Sequence, residues 1–562
     1  MNPTITNAGM LPDDALRAFA DAIVDIVAGR YPEAPPATVG FEAPRRPEFG
    51  DFATNVAFTL ARVARSAPND VAASLVADLR EQAPNVAALF SSIDTVAGFI
   101  NLRLAPIVWQ TLVATILRDG EDFGRKVRTG TRISLEFGSA NPTGPLVVVQ
   151  GRTLSIGDTL AKAFRFCGYD VFTEWIINDA GSQVDTLGRS TYARYAQQYN
   201  PDFPFPEEGY PGDYLLPIAA SIAERDGDKW LSAPESEWLP YFAKIARDTI
   251  VAEQRATAER FGVDYDLWQS EKELRDSGRM AEDLEKLRGM GLIYSQDGAQ
   301  YFRTSEFGDD KDRVIMRSDG RPTYFAPDIA YHYEKLSRAD RVIDILGPDH
   351  HGYIGRLKAA AAAMGFPGHL DVMMAQQITL MRGDEIVSMS KRAGNIVTLD
   401  EIIDEAGVDA ARFFFVMLAT DSPLTFDLKL ATEQSNENPV YYVQYGHARI
   451  ASVLRNANAA DLEASRLPGA LNALEHEAEL ALARRLAELP RTVQGVVDSL
   501  APHRLAKYAR DVAADFHQFY TECKILVDDE PTRIARLALC LATKSILAEV
   551  LHILGVSAPE TM

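Results

Sequence analysis

Two periods of apolar and polar residues alternate along this chain, and the changes between them divide it into segments. Ala15 to Val27 is apolar at helical spacing, and Asn55 to Val63 continues into a second helix. Ser92 to Leu104 alternates with a period of two, which predicts a strand. Residues 1–120 therefore read as a small α+β unit, closed by a Gly-, Arg- and Asp-rich linker at Asp119 to Gly130. Arg132 to Phe137 is a short β-type run ending in the Gly/Pro loop Gly138 to Pro145, and a helix follows to about Cys167. The apolar run Asp170 to Ile177 predicts the next strand and closes a β-α-β unit, which builds parallel sheets that bind ligands at their strand ends. Residues 200–260 mix prolines and aromatics with helical patterns, as an insertion on that sheet would. A second β/α stretch runs from Arg313 to about Val397, with a strand at Val342 to Leu346 and a helix at Tyr353 to Met364. From Leu399 onward strand signals vanish. Long amphipathic helices broken at Leu467-Pro468-Gly469 predict an all-α domain.

Composition narrows the class. With 562 residues, 47% hydrophobic and 24% charged, the chain has material for three or four globular domains of roughly 100–200 residues each. The opening Met-Asn-Pro-Thr-Ile-Thr lacks the basic and apolar regions of a secretion signal. Apolar stretches are broken by charges before about 18 residues, so no membrane span is expected. Cys167, Cys523 and Cys540 show no short paired spacing, which argues against a zinc knuckle or disulfide framework and fits a reducing cytoplasm. A net charge of −22 argues against non-specific coating of nucleic acid. Basic residues gathered on one face would still allow RNA binding.

The chemistry concentrates in a few motifs. Glu136 to Leu146 reads E-F-G-S-A-N-P-T-G-P-L, between a strand and a helix, where backbone N–H groups and the helix N-terminus favour an anion. Taken alone, a tight strand-to-helix connection explains it equally well. Four further blocks add weight: Trp175 to Gln183 (W-I-I-N-D-A-G-S-Q), Phe307 to His332, Gly347 to Tyr353 (G-P-D-H-H-G-Y) and Gln444 to Ile450 (Q-Y-G-H-A-R-I). Together with G-F-I-N near Gly98 and L-G-V-S-A-P at Leu554, they resemble the bacterial arginyl-tRNA synthetases, in order, from about residue 10 to residue 562.

The resemblance implies a multidomain α/β protein. It would have an N-terminal α+β tRNA-binding domain (1–120), a Rossmann-type class I catalytic domain (121–398, with the insertion near 200–260) and a helical anticodon-binding domain (399–562). Such an enzyme makes arginyl-adenylate from arginine and ATP with Mg2+, then esterifies the 3′ end of its tRNA. A guanidinium is a permanent planar cation and needs carboxylates and oriented acceptors. By resemblance, Glu136, Asn141, Tyr324 and Asp328 line the arginine site. Pro142, Gly144, Gly347, Asp349 and His350 border the nucleotide. The His350-His351 pair has no further ligand at metal spacing, and no structural metal is expected.

One signature departs from the family. Where the family has His-Val-Gly-His, its version of the HIGH motif, this chain has Val147, Val148, Val149 and Gln150, and no histidine precedes His332. Val147 cannot donate a hydrogen bond and Gln150 can. Val149 replaces a glycine that lets a base approach the backbone. The KMSK motif reads Ser388-Met389-Ser390-Lys391, so Met389, Ser390 and Lys391 keep their family types. Gln150, Ser390 and Lys391 are the expected catalytic residues. Val147, Val149, Gln150, Met389 and Lys391 join the expected ATP contacts.

For tRNA, Phe49 and Asn55 resemble the family's surface for the tRNA elbow, with Arg45 and Arg46 nearby. Tyr441, Tyr442, Tyr445, His447 and Arg449 mix aromatic faces with cations, as unstacked bases favour, and at least two of these tyrosines should instead be packed. Tyr508, Arg510, Phe516, Phe519 and Tyr520 read as core. Expected partners are arginine tRNA, arginine and ATP, with no DNA, no membrane and a monomeric state. Two other readings stay open: a paralogue that binds arginine or tRNA without adenylating, and an arginine ligase with an acceptor other than tRNA.

Overall fold

The computed structural model describes residues 10–562 except 35, 45, 388–396 and 468, with the backbone alone at 47 and 349–351. In the N-terminal unit, helices Pro12–Arg30, Val56–Ala64 and Pro68–Gln82 cover an antiparallel sheet of Phe52–Thr54, Phe99–Leu104 and Phe90–Val96. The alternating run read as a strand from Ser92 to Leu104 is in fact a hairpin. Ala97 and Gly98 both take left-handed backbone angles (φ 51° and 88°) and reverse the chain, leaving the period of two intact on either arm.

The middle of the chain forms a five-stranded parallel sheet from β1 (Arg132–Phe137), β2 (Asp170–Ile177), β3 (Leu267–Ser270), β4 (Arg341–Leu346) and β5 (Leu370–Met374). Its order is β5-β4-β1-β2-β3, so the winding reverses between β1 and β4. Such a sheet binds ligands at that reversal, beyond the carboxyl ends of the strands. Helix α1 (Val148–Phe166) lies on β1 at close range. A Cβ at Gly157 would sit 2.0 Å from the Phe137 ring, so this approach requires glycine.

After β2, helices α2 (Ser182–Gln197), Leu215–Asp226 and α3 (Glu235–Arg260) form the insertion around an aromatic core. There Tyr192 stacks on Trp238 with ring centroids 3.8 Å apart. The insertion thus begins with α2, ahead of the proline-rich segment that signals it. A small antiparallel sheet (Ile293–Gln296, Ala299–Phe302, Arg313–Met316) precedes helix α4 (Phe325–Arg338).

Helix α5 (Leu399–Val416) packs along α1, and the strand Leu424–Asp427 pairs in parallel with Ile378–Arg382. Strands therefore continue past Leu399, contrary to the expectation of helices alone. At four residues, this strand is too short for its alternation to register in the sequence. Helices α6 (Pro439–Asn456), α7 (His503–Glu522) and α8 (Glu530–Leu554) carry the bundle that follows. Helix α8 is long and apolar enough to cross a bilayer, which the charge-interruption argument overlooked, yet most of it is buried against its neighbours. Arg412 on α5 ties these parts together. Fully buried, it donates to the carbonyls of Leu554 and Phe261 (both 3.1 Å) and pairs with Asp158 on α1.

Candidate active site

At the reversal between β1 and β4, where a sheet of this kind has its ligand crevice, two loops leave the strands, one from Phe137 and the other from Leu346. Gly138 turns the first loop out of β1 at φ 77°. The insertion then holds this loop by its carbonyls. Gln254 Nε2 on α3 donates to Asn141 O (3.1 Å) and Gly144 O (2.8 Å), and Tyr214 Oη donates to Thr143 O (2.6 Å). Asn178 Nδ2 donates to the Asn141 side chain at 3.4 Å. From the other side, Leu399 N–H donates to Leu146 O at 2.8 Å, and Val147 bridges Thr398. The loop is clamped between insertion and helical region.

Residues 147–150 begin α1 at the floor of this crevice. Val147 is the N-cap, in extended conformation (φ −109°, ψ 171°), and offers no side-chain acceptor. Its own N–H is satisfied by Gln150 Oε1 at 3.2 Å. That bond commits the Gln150 carbonyl to the helix start and leaves its amide NH2 as the donating end. Val148 is buried in the core, whereas Val147, Val149 and Gln150 are half-buried. The neighbouring Gly151 is required by packing, since a Cβ there would press on Leu399 (2.7 Å) and Phe415 (2.8 Å).

Beneath the loop lies a buried ion network. Glu136, near the end of β1, accepts from Lys335 Nζ (2.8 Å) on one oxygen and from Ser139 Oγ (3.1 Å) on the other. Ser139 Oγ is itself fixed by the Ile176 N–H at 3.0 Å. Lys335 on α4, fully buried, also donates to Asp344 on β4. The other Asp344 oxygen faces His332 Nε2 at 2.8 Å, and His332 Nδ1 faces the Asp328 carbonyl at 2.7 Å. Alongside, Glu174 on β2 accepts from Ser134, Tyr331 and Arg338.

Burial alone would lower the Lys335 ammonium, but Asp344, Glu136 and Glu174 raise it, so it stays charged. Burial alone would raise Asp344, but Lys335 and His332 hold it well below the usual carboxylate range. Burial pushes the Glu136 carboxyl up, opposed by Lys335. Asp328 accepts from Tyr353 Oη. Tyr324 is the N-cap residue of α4, one turn before Asp328, and is 68% exposed.

Family models match the chain in order. The arginyl tRNA synthetase N terminal domain covers residues 14–104, the class I (R) tRNA synthetase catalytic domain 231–416, and the DALR anticodon binding domain 443–562. An arginine–tRNA ligase of Heliobacterium modesticaldum is 45% identical over 538 residues, covering 93% of each chain. This chain belongs to the arginyl-tRNA synthetase family. Another member, from Syntrophotalea carbinolica, is 42% identical over 98% of each chain. The arginyl-tRNA synthetase structure from Thermus thermophilus superposes with a TM-score of 0.74 at 22% identity, over 97% of this chain and 100% of that one, and so shares its fold.

Of the expected site residues, Glu136, Asn141, Pro142, Gly144, Val147, Val149 and Gln150 stand together on β1, its loop and the start of α1. Tyr324 and Asp328 stand on the first turn of α4, and Gly347 opens the loop after β4. The side chains of Asp349 and His350, the segment Ser388, Met389, Ser390 and Lys391, and Arg45 lie outside the described residues. Among the described residues, no group of His, Cys, Asp and Glu forms a metal site. Sequence reasoning passed over Lys335, His332, Asp344, Ser139, Gln254 and Tyr214. A signal existed for α4, where Asp328, His332 and Lys335 recur at i, i+4 and i+7 on an otherwise apolar helix face. Gln254 and Tyr214 carry no local signal.

The residues expected to meet tRNA stand on the N-terminal unit and on the helical bundle. Phe49 is half-buried in the turn Pro47–Phe49, and Asn55 is exposed at the start of Val56–Ala64. On α6, the Arg449 guanidinium lies over Tyr445 (4.6 Å to the centroid) and over Tyr520 of α7 (4.9 Å). They line a groove of about 740 Å³ with Ser452 and Lys524. Tyr508, Phe516 and Phe519 are core, but Tyr520 is 40% exposed and belongs to this groove, not to the core as expected. Its position at the outer edge of α7 is a tertiary outcome.

Proposed function

We propose that this chain is a working arginine–tRNA ligase whose nucleotide loop has been remodelled. In the first step the arginine carboxylate attacks the α-phosphorus of ATP, and pyrophosphate leaves with its Mg2+. In the second the 3′-terminal hydroxyl of tRNA attacks the adenylate carbonyl, giving arginyl-tRNA and releasing AMP. One observation carries this reading. Glu136 stands near the end of β1 at the sheet's winding reversal, just before the N-P-T-G-P loop held by Gln254 and Tyr214, and bonds Lys335 of α4, whose start carries Tyr324 and Asp328. Carboxylates there suit a guanidinium or ammonium, and the loop and the α1 N-terminus suit phosphates.

Chemistry of this kind needs positioning and donors aimed at developing charge. Val147 supplies no donor, and removing one typically costs about a hundred- to a thousandfold in rate. The Gln150 amide, aimed by its own bond to Val147 N–H, takes over the donor role, with Ser390 and Lys391 expected on the triphosphate. Asn141, Pro142, Gly144, Val147, Val149, Gly347, Asp349, His350 and Met389 complete the assigned pocket. Phe49, Asn55, Tyr445 and Arg449 contact the tRNA. We place the protein in the cytoplasm as a monomer.

The test is charging of bulk tRNA with labelled arginine, ATP and Mg2+, run beside Val147→His/Val149→Gly/Gln150→His. Arginyl-tRNA from the unmodified chain supports the reading. Product from the restored variant alone would replace it with that of a paralogue silenced at one loop.

A further inference from the structure

We propose that Lys335 is a positioning residue of the arginine site, and that the ion quartet it completes with Glu136, Asp344 and His332 keeps Glu136 ionised and aimed at the substrate. The inference rests on the assignment of Glu136 to that site.

Geometry carries it. Lys335 is fully buried, seven residues beyond Asp328 on α4, and reaches across the sheet to two neighbouring strands: Glu136 on β1 at 2.8 Å and Asp344 on β4. These strands are paired with Asp344 opposite Glu136, so the two carboxylates lie side by side at the winding reversal. Two adjacent buried carboxylates cannot both stay ionised without compensation. Lys335 supplies one positive charge. His332 supplies the other, because both its ring nitrogens face acceptors. Nδ1 meets the Asp328 carbonyl, which can only accept, and Nε2 meets the Asp344 carboxylate. A ring so placed carries two protons. Two anions then meet two cations and the quartet is neutral.

Several charged groups face this quartet. From α4 comes Asp328, whose own carboxylate accepts from Tyr353, while the neutral Tyr331 ring lies 5.3 Å from Lys335 Nζ. From β2 comes Glu174, already paired with Arg338. Each Glu136 oxygen has one fixed donor, Lys335 on one side and Ser139 on the other. The carboxylate plane is therefore set, and among the described residues no further hydrogen-bond donor takes its remaining lone pairs. A helix residue that never touches substrate thereby decides whether the strand residue arrives as an anion.

Without Lys335, Glu136 becomes a buried carboxyl lacking its cation. Such groups reach pKa values of about 8–9. At pH 7 about one molecule in thirty would then keep the anion, taking a value near 8.5. The measurement is the Kd for L-arginine by isothermal titration calorimetry between pH 6 and 9, on the full chain. For Lys335→Met the expected result is a Kd about thirtyfold weaker at pH 7 that recovers about tenfold per pH unit toward 8.5. Lys335→Arg should restore the affinity and flatten the profile.

Lys335→Met leaves two buried anions, so Lys335→Met/Asp344→Asn is run with it. This pair removes one charge of each sign, folds more readily and should show a Kd with the same direction of pH dependence, recovering at lower pH than Lys335→Met because the Asp344 anion is gone. Asp344→Asn alone keeps the Lys335–Glu136 bond, so any change it makes in the Kd should lack the recovery toward pH 8.5. A loss of arginine affinity that is constant across pH, or none, in the folded variants overturns the role of Lys335. Glu136→Gln separates the two claims. If it leaves the Kd unchanged, the assignment of Glu136 fails. If it weakens binding while Lys335→Met/Asp344→Asn does not, only the positioning role fails.

Discussion

Replacing Gln254 by methionine should separate stability from catalysis in this protein. The side chain is 1% exposed, and its Nε2 holds two carbonyls of the N-P-T-G-P loop at 3.1 and 2.8 Å. Each such bond contributes about 0.5–1.5 kcal/mol net to stability, so their loss costs about 2 kcal/mol. Against this stands the Gln254 Oε1, which is buried without a hydrogen-bond partner among the described residues. An unsatisfied buried acceptor costs about 1–3 kcal/mol, and methionine, of similar shape, removes it. The two terms nearly cancel, and the expected change in stability is within about 1 kcal/mol, a melting shift of a few degrees at most.

The loop fares differently. Asn141 and Gly144 lose the bonds that set their distance from α3, and a displacement of about 1 Å in a positioning loop costs roughly a hundredfold in rate. The assay is tRNA charging under saturating substrates, with melting followed in parallel. A variant that melts far below the parent while keeping its kcat would refute this reasoning, because Gln254 would then be a packing residue with no hold on the loop. Gln254→Glu sharpens the test. It keeps the shape but substitutes acceptors for the donor, and should be as slow as the methionine variant.

Further outcomes follow from the same structure. Arg412→Met orphans Asp158, although Lys162 remains 2.8 Å from it, and should cost about 3 kcal/mol in chemical denaturation. Gly157→Ala drives a methyl into the Phe137 ring and should lose stability at the upper end of about 1–3 kcal/mol, with charging impaired because Phe137 leads into the nucleotide loop. Burial alone would raise the Glu174 carboxyl, but Lys335 and Arg338 hold its folded value below the ordinary one. Its stabilisation is therefore complete above about pH 4.5 and lost as the pH falls through the lower folded value, so Glu174→Gln should flatten the fall in melting temperature between about pH 5 and 3. Arg449→Lys keeps the charge but loses the planar stack between Tyr445 and Tyr520. It should raise the KM for tRNA several-fold and leave the Kd for arginine unchanged.

The local patterns sufficed wherever one element made its own case. β1 and β2 were readable residue for residue, because branched and aromatic residues crowd there after the glycine breaks at Gly130 and Gly168. The N-P-T-G-P loop and the altered Val147 to Gln150 stretch also stood in contiguous sequence, where resemblance could find them. Short strands could not be read this way. Leu424–Asp427 has four residues, fewer than its alternation needs to rise above the helices around it. The hairpin at Ala97-Gly98 hid because a two-residue reversal leaves the period of two intact.

What only the tertiary structure decided are the long-range partners: Gln254 on Asn141, separated by 113 residues, and Lys335 on Glu136, separated by 199. Hydrophobic periodicity tells a side chain which face is inside. It does not tell a buried amide or ammonium which carbonyl or carboxylate will satisfy it. That choice is fixed when the β5-β4-β1-β2-β3 order sets Asp344 opposite Glu136 and the insertion folds α3 back over the loop. Buried polar groups require partners, and in this chain the fold selected them.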